Sequence, residues 1–159
     1  MDLPNNRIYR IGVIGTGIAG SAVYELAYRV GRLLAERGAI VYTGGLGGVM
    51  EAAARGALEA GGLTVGILPG RKAEEANPYI RIPVVTDMGH ARNVILVRSV
   101  QGLIAVSGGY GTLSEIALAL KMWKPVVGLR TWPGIEGVVY EDSPEEAVSK
   151  LFLILEGEG

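Results

Sequence analysis

Leu103-Ile104-Ala105-Val106-Ser107-Gly108-Gly109-Tyr110-Gly111-Thr112-Leu113-Ser114-Glu115 runs from an unbroken apolar stretch through a glycine turn into the opening of a helix. A strand buried on both faces reads as a continuous apolar run. A helix that starts straight after it leaves its first N–H groups without intrahelical acceptors, aimed beyond the strand end. Such a place holds an anion, most often a phosphate. In this reading Gly108, Gly109, Gly111 and Thr112 hold the phosphate through N–H and hydroxyl groups.

Working outward, the same grammar repeats. Ile11–Ile14, Ala39–Tyr42, Leu63–Leu68, Ile80–Val85, Gln101–Val106 and Pro125–Leu129 read as strands, with Val138–Tyr140 a short extra one. Helices are expected over Ala22–Arg37, Val49–Glu59, Met88–Ser99, Thr112–Met122 and Pro144–Leu155, with Arg71–Tyr79 a polar loop. Pro83 places its strand at an edge or gives it a bulge. Apolar strands alternating with helices define an α/β protein. The expected architecture is a three-layer Rossmann-like fold around a mostly parallel sheet, with residues 1–159 forming a single domain. Ligands in such folds sit beyond the carboxyl ends of the strands, where strand order reverses.

Composition narrows the chemistry. The chain has 159 residues, a formal net charge of −1 and 49% hydrophobic residues. That balance supplies no long-range attraction to a nucleic acid polymer or an anionic membrane. With no cysteine and one histidine, His90, thiolate and multi-histidine metal sites are ruled out, and no metal ligated by the protein is expected. Met1–Arg10 lacks a signal-peptide pattern and no apolar run approaches a membrane span, so the expected location is cytoplasmic. The 25 glycines are about twice the usual frequency. They gather after the apolar runs.

Three glycine-rich turns fall at the expected ligand edge: Gly15–Gly20, Gly44–Gly48 and Gly108–Gly111. Gly15-x-Gly17-x-x-Gly20 fits the dinucleotide pattern, but that site also needs an acid at the end of the second strand. Tyr42 and Thr43 stand there instead. No glycine turn is followed by the lysine of a Walker A loop. Gly45 and Gly48 are expected to line the wall opposite the phosphate cradle, with Gly15 and Gly17 beside them. Glu115 has two readings. Thr112-x-x-Glu115 spells a capping box; alternatively the carboxylate stands at the mouth of the cradle. Arg92 either adds charge to the cradle or pairs with Asp87, and Asn93 is a ligand donor or an ordinary polar helix residue.

Ser107-Gly-Gly-Tyr-Gly-Thr-Leu-Ser-Glu115 resembles the P-G-G-x-G-T-x-x-E motif of the LOG-type, lysine decarboxylase-like superfamily. Arg92 lies fifteen residues before Ser107, like the arginine of that family's R-K pair. Gly44–Met50 and Pro69-Gly70 are similar to its other glycine segments, and the resemblance covers about Arg10 to Leu129. Members with the full motif are phosphoribohydrolases that split a nucleoside 5'-monophosphate into base and ribose 5-phosphate; for them the resemblance implies catalytic roles for Glu115 and Arg92. Ser107 in place of proline and Asn93 in place of lysine look closer to the molybdenum cofactor carrier proteins and the group around them. That resemblance implies binding of a phosphorylated heterocycle, with molybdopterin as the carried ligand, in a homodimer or higher homo-oligomer. A regulatory ligand sensor is a third reading.

Overall fold

The computed structural model describes residues 8–157; the first seven residues of the polar start fall outside it. In chain order the elements are β1 (Arg10–Gly15), α1 (Ser21–Glu36), β2 (Ile40–Thr43), α2 (Val49–Glu59), β3 (Thr64–Leu68), β4 (Ile82–Val85), α3 (Arg92–Ser99), β5 (Gly102–Val106), α4 (Tyr110–Lys121), β6 (Val126–Leu129), β7 (Val138–Tyr140) and α5 (Pro144–Leu155). The seven strands form one sheet in the order β4-β3-β2-β1-β5-β6-β7. Every neighbouring pair is parallel. Pro83 sits in β4, an edge strand.

Period-two alternation sorts the strand side chains into two cores. Ile11, Val13, Ile104, Val106, Val127 and Leu129 face one side, with Val30 and Leu34 of α1, Ala53 and Ala57 of α2, and Leu151 and Phe152 of α5. Ile14, Leu103, Ala105 and Val126 face the other, with Leu96 and Val97 of α3 and Ile116 and Ala119 of α4. Helices therefore cover both faces, which makes the three layers of a Rossmann-like fold. Among the described residues no helix is long and apolar enough to cross a membrane.

Two sequence expectations are corrected. Met88–Ser99 is not one helix: a 3₁₀ turn at Gly89–Ala91 precedes α3. Asp87 and Gly89 have φ of 53° and 57°, and an α-helix cannot pass through that region. Secondly, α4 opens at Tyr110 rather than Thr112, with Gly109 as its N-cap and no side-chain cap bond. Thr112 is thus the third helical residue, and the capping-box reading of Glu115 fails. At Gly56, α2 meets α1. A methyl at Gly56 would overlap the carbonyl of Tyr28, and one at Gly31 the carbonyl of Ala53. The two helices cross backbone to backbone.

Lysine finishes the α3–β5 connection. Lys124 Nζ donates to the carbonyls of Val97 (2.7 Å), Arg98 (2.7 Å) and Val100 (2.6 Å). These acceptors lie at and just beyond the C-terminus of α3, where a cation is favoured.

Gly56→Ala should lower the unfolding free energy by about 1–3 kcal/mol through overpacking, despite the roughly 1 kcal/mol that alanine otherwise gains in a helix. The urea unfolding midpoint measures it, and an unchanged or raised midpoint contradicts this backbone contact.

Candidate functional site

Strand order turns around between β1 and β5, whose ladder runs from Ile11–Gly102 to Gly15–Val106. Beyond that point the chain leaves β1 toward α1 on one face and leaves β5 toward α4 on the other. The diverging turns leave a cleft. A cavity of about 270 Å³ occupies it.

The cavity brings together eight of the sequence-predicted residues: Gly15, Gly17, Arg92, Asn93, Gly109, Gly111, Thr112 and Glu115. Three others stand outside its lining. Gly45 has φ +80°, donates its N–H to Thr43 Oγ1 (3.0 Å), and has its α-carbon against Leu68. Gly48 has φ +63° and packs on the Thr16 carbonyl, which also accepts from Val49 N (2.9 Å). Gly108 has φ +119° and lies on Thr112. These glycines shape the turns; they do not form the cavity wall, contrary to the expectation for Gly45 and Gly48. Thr16, Gly44, Met50 and His90 line it as well. The sequence places Gly44 in a turn at the ligand edge without singling it out, because its role depends on a residue 48 positions away: a methyl there would collide with the Arg92 guanidinium.

At the start of α4, among the described residues no protein acceptor takes the N–H of Gly109, Tyr110, Gly111 or Thr112. The first intrahelical bond is from Leu113 N to Gly109 O (3.0 Å). Gly109 and Gly111 have open space where a side chain would be. Backbone donors, a helix dipole and no covering side chain are what an oxyanion requires.

Arg92 faces this cradle from the first position of α3. Its Nη1 donates to Gly44 O (2.6 Å) and Ile67 O (2.7 Å), which ties the ends of β2 and β3 to α3. Its Nε is buried and, among the described residues, without a partner. An unsatisfied buried donor costs about 1–3 kcal/mol, which a bound acceptor would recover. Asp87 does not pair with Arg92; it accepts from Arg71 Nε at 3.2 Å. Asn93 is buried, and its Nδ2 donates to Ser114 Oγ (3.3 Å), whose hydroxyl donates to Gly111 O (2.8 Å). The amide thus steadies the first turn of α4.

Glu115 is 9% exposed and lies in the second turn of α4. Burial pushes its carboxyl up to about 7, against the pull of Arg92. The same burial lowers the Arg92 guanidinium, and Glu115 opposes that shift. A carboxyl near 7 can give or take a proton at neutral pH. Among the described residues, no group of three or more histidine, cysteine or carboxylate side chains could hold a metal.

The turn before the cradle is unusual. Ser107 has φ +54°, and its N–H donates to Leu129 O (3.2 Å). Its carbonyl accepts from Thr131 Oγ1 (2.7 Å).

A parallel sheet with a donor-lined cleft at its reversal point makes this a Rossmann-like protein by architecture. The chain belongs to the SLOG cluster4 family, whose pattern extends over residues 8–154. An uncharacterized protein of Archaeoglobus fulgidus is 54% identical over 90% of this chain and 94% of its own length. The molybdenum cofactor binding protein of Rippkaea orientalis has a TM-score of 0.89 and 39% identity, over 95% of this chain and 99% of that one. The molybdenum cofactor carrier protein of Chlamydomonas reinhardtii has a TM-score of 0.85 and 37% identity, over 94% and 99%. A cytokinin riboside 5'-monophosphate phosphoribohydrolase of Arabidopsis thaliana is 36% identical over 73% of this chain, which spans about half (53%) of that relative's length. The subgroup expected from Asn93 and Ser107 is thus the one that the structural relatives share.

Burial of Glu115 has a consequence for stability against pH. Below the unfolded pKa, near 4.5, both states hold the proton and burial costs nothing. As pH rises from there to about 7 the folded state loses stability, because the buried carboxylate has lost its hydration and the unfolded chain gives up the proton first. Glu115→Gln should therefore raise unfolding free energy at pH 8 by on the order of 3 kcal/mol and change it little at pH 4. Denaturant titrations at the two pH values measure this; an equal effect at both contradicts the buried carboxyl.

Proposed function

We propose that this protein binds and carries a phosphorylated heterocyclic ligand, with molybdopterin as the candidate. The observation that carries the reading is the unpaired set of N–H groups at Gly109–Thr112, opening into the cavity that Arg92 lines. Those amides would hold the phosphate. Arg92 would add positive charge, and Gly15 and Gly17 would border the remainder of the ligand. The residues present fit such a group: the donors are in excess, Arg92 Nε lacks an acceptor, and the glycines leave the backbone approachable. The molybdenum cofactor proteins of Rippkaea and Chlamydomonas, similar over nearly their whole length, support the same choice. In this reading the protein is cytoplasmic.

A second reading has a specific observation behind it. A carboxyl pushed up to about 7 and facing a guanidinium suits N-glycosidic cleavage of a nucleoside 5'-monophosphate. Water would replace the base at the ribose carbon and the proton would leave with the base; Glu115, when ionised, would steady the positive charge that develops on the ribose, and Arg92 would face the phosphate. Carrier and hydrolase separate in one assay. The carrier retains molybdopterin through gel filtration and releases no adenine from AMP. Adenine released at a rate abolished in Glu115→Gln, itself folded, would favour the hydrolase.

Gly111→Leu should crowd the cradle, since a Cβ at that position has open space with nothing within 4 Å. Molybdopterin affinity should fall at least tenfold while the melting temperature stays within a few degrees. Unimpaired binding by this variant would remove the cradle from the site.

Self-association is part of the proposal. Val94 and Ile95 on α3 and Met88 before it are exposed by 39%, 36% and 47%, and Trp123, at the end of α4, by 94%. Such apolar surface suits a second copy of the chain. Sedimentation should give at least a dimer for the native chain and a monomer for a Val94→Glu, Ile95→Lys double variant. A native monomer would refute the association.

A further inference from the structure

A second cavity, also of about 270 Å³, borders the other flank of the glycine turn. It is lined by Ser107, Gly108, Arg130, Thr131, Trp132 and Pro133. Gly108 lines this cavity and Gly109 the first, so the two border one glycine turn. Both lie beyond the carboxyl ends of the strands.

Two non-glycine residues here carry left-handed backbone: Ser107 with φ 54° and Arg130 with φ 53°. They are the residues immediately after Val106 and Leu129, which are paired across β5 and β6. Neighbouring strands thus leave the sheet through the same costly conformation, side by side. Strain of this kind costs about 1–3 kcal/mol per residue and persists where surrounding bonds impose it. Those bonds are present. Thr131 Oγ1 donates to Ser107 O (2.7 Å), Trp132 Nε1 donates to Gly109 O (3.0 Å), and Tyr140 OH donates to Trp132 O. The loop after β6 is fastened to the glycine turn itself. The Trp132 ring also lies against that of Tyr110, the first residue of α4, tilted by 35° with centroids 5.7 Å apart.

Arg130 is exposed and, among the described residues, enters no ion pair or side-chain hydrogen bond. The fold thus spends strain to set an unpaired guanidinium one strand away from an anion cradle. We infer that Arg130 and the turn beside it form a second anion subsite, so that the protein accepts a ligand extended from its first phosphate by a second one, a pyrophosphate-linked compound. The inference rests on the phosphate cradle proposed above. Strand spacing of about 4.8 Å sets the Arg130 backbone beside that of Ser107, two residues before Gly109. A guanidinium takes phosphate oxygens in pairs.

Calorimetric titration with orthophosphate and pyrophosphate tests this without assuming any heterocycle. The native chain should bind pyrophosphate at least tenfold more tightly than orthophosphate. Arg130→Gln should remove most of that preference while orthophosphate affinity stays within twofold, and Arg130→Lys should restore part of it. Orthophosphate bound with no preference for pyrophosphate, or a preference intact in Arg130→Gln, overturns the second subsite alone. A native chain that binds neither anion overturns the cradle and the subsite together.

Discussion

The parallel ladder between β1 and β5 is the constraint on which the site depends. It joins two strands 91 residues apart and sends the chain after each to opposite faces of the sheet. Ile11, Val13 and Ile14 are all but inaccessible, as are Leu103 through Val106. A strand that is buried on both faces cannot slip register without exposing apolar side chains and burying polar ones. Its end is therefore fixed, and Gly15 and Val106 finish level with one another. The cleft is what remains when two turns leave a common level in opposite directions.

Arg92 makes that cleft chemically asymmetric. One guanidinium nitrogen closes the carbonyls of Gly44 and Ile67, which join β2 and β3 to the entrance of α3. The opposite wall is the amide end of α4. Positive potential thus comes from both sides, and Glu115 is the one carboxyl among the residues that line the cavity. Its displaced titration follows from that crowding: leaving water costs the carboxylate more than the arginine returns.

Most of the architecture was legible because doubly buried parallel strands are nearly all apolar, and glycines mark their ends. Val49–Glu59, Val138–Tyr140 and Pro144–Leu155 appear in the structure with the bounds that the sequence suggests. Legibility failed where one short-range signal competed with another. Thr112-x-x-Glu115 has capping-box spacing, yet α4 opens at Tyr110, two residues before the expected start, with Gly109 as its cap. Met88–Ser99 has helical composition, yet left-handed backbone at Asp87 and Gly89 holds α3 back to Arg92. In the site, Gly109, Gly111, Thr112 and Glu115 came with one local motif. Gly44 did not, since only the folded chain brings Arg92 beneath it. Gly45 and Gly48 were read as wall because a glycine required by φ looks the same in sequence as one required by a ligand.

The serine ahead of the glycine turn separates two spellings of the motif more deeply than one residue suggests. A pyrrolidine ring locks φ near −65° and leaves no N–H to donate. Ser107 uses both a positive φ and that N–H to seat the end of β5 against Leu129. Proline at this place would have to reroute the chain and surrender a rung of the ladder. Ancestral or engineered passage between the two spellings therefore involves rebuilding the corner between β5 and β6, not exchanging a single codon.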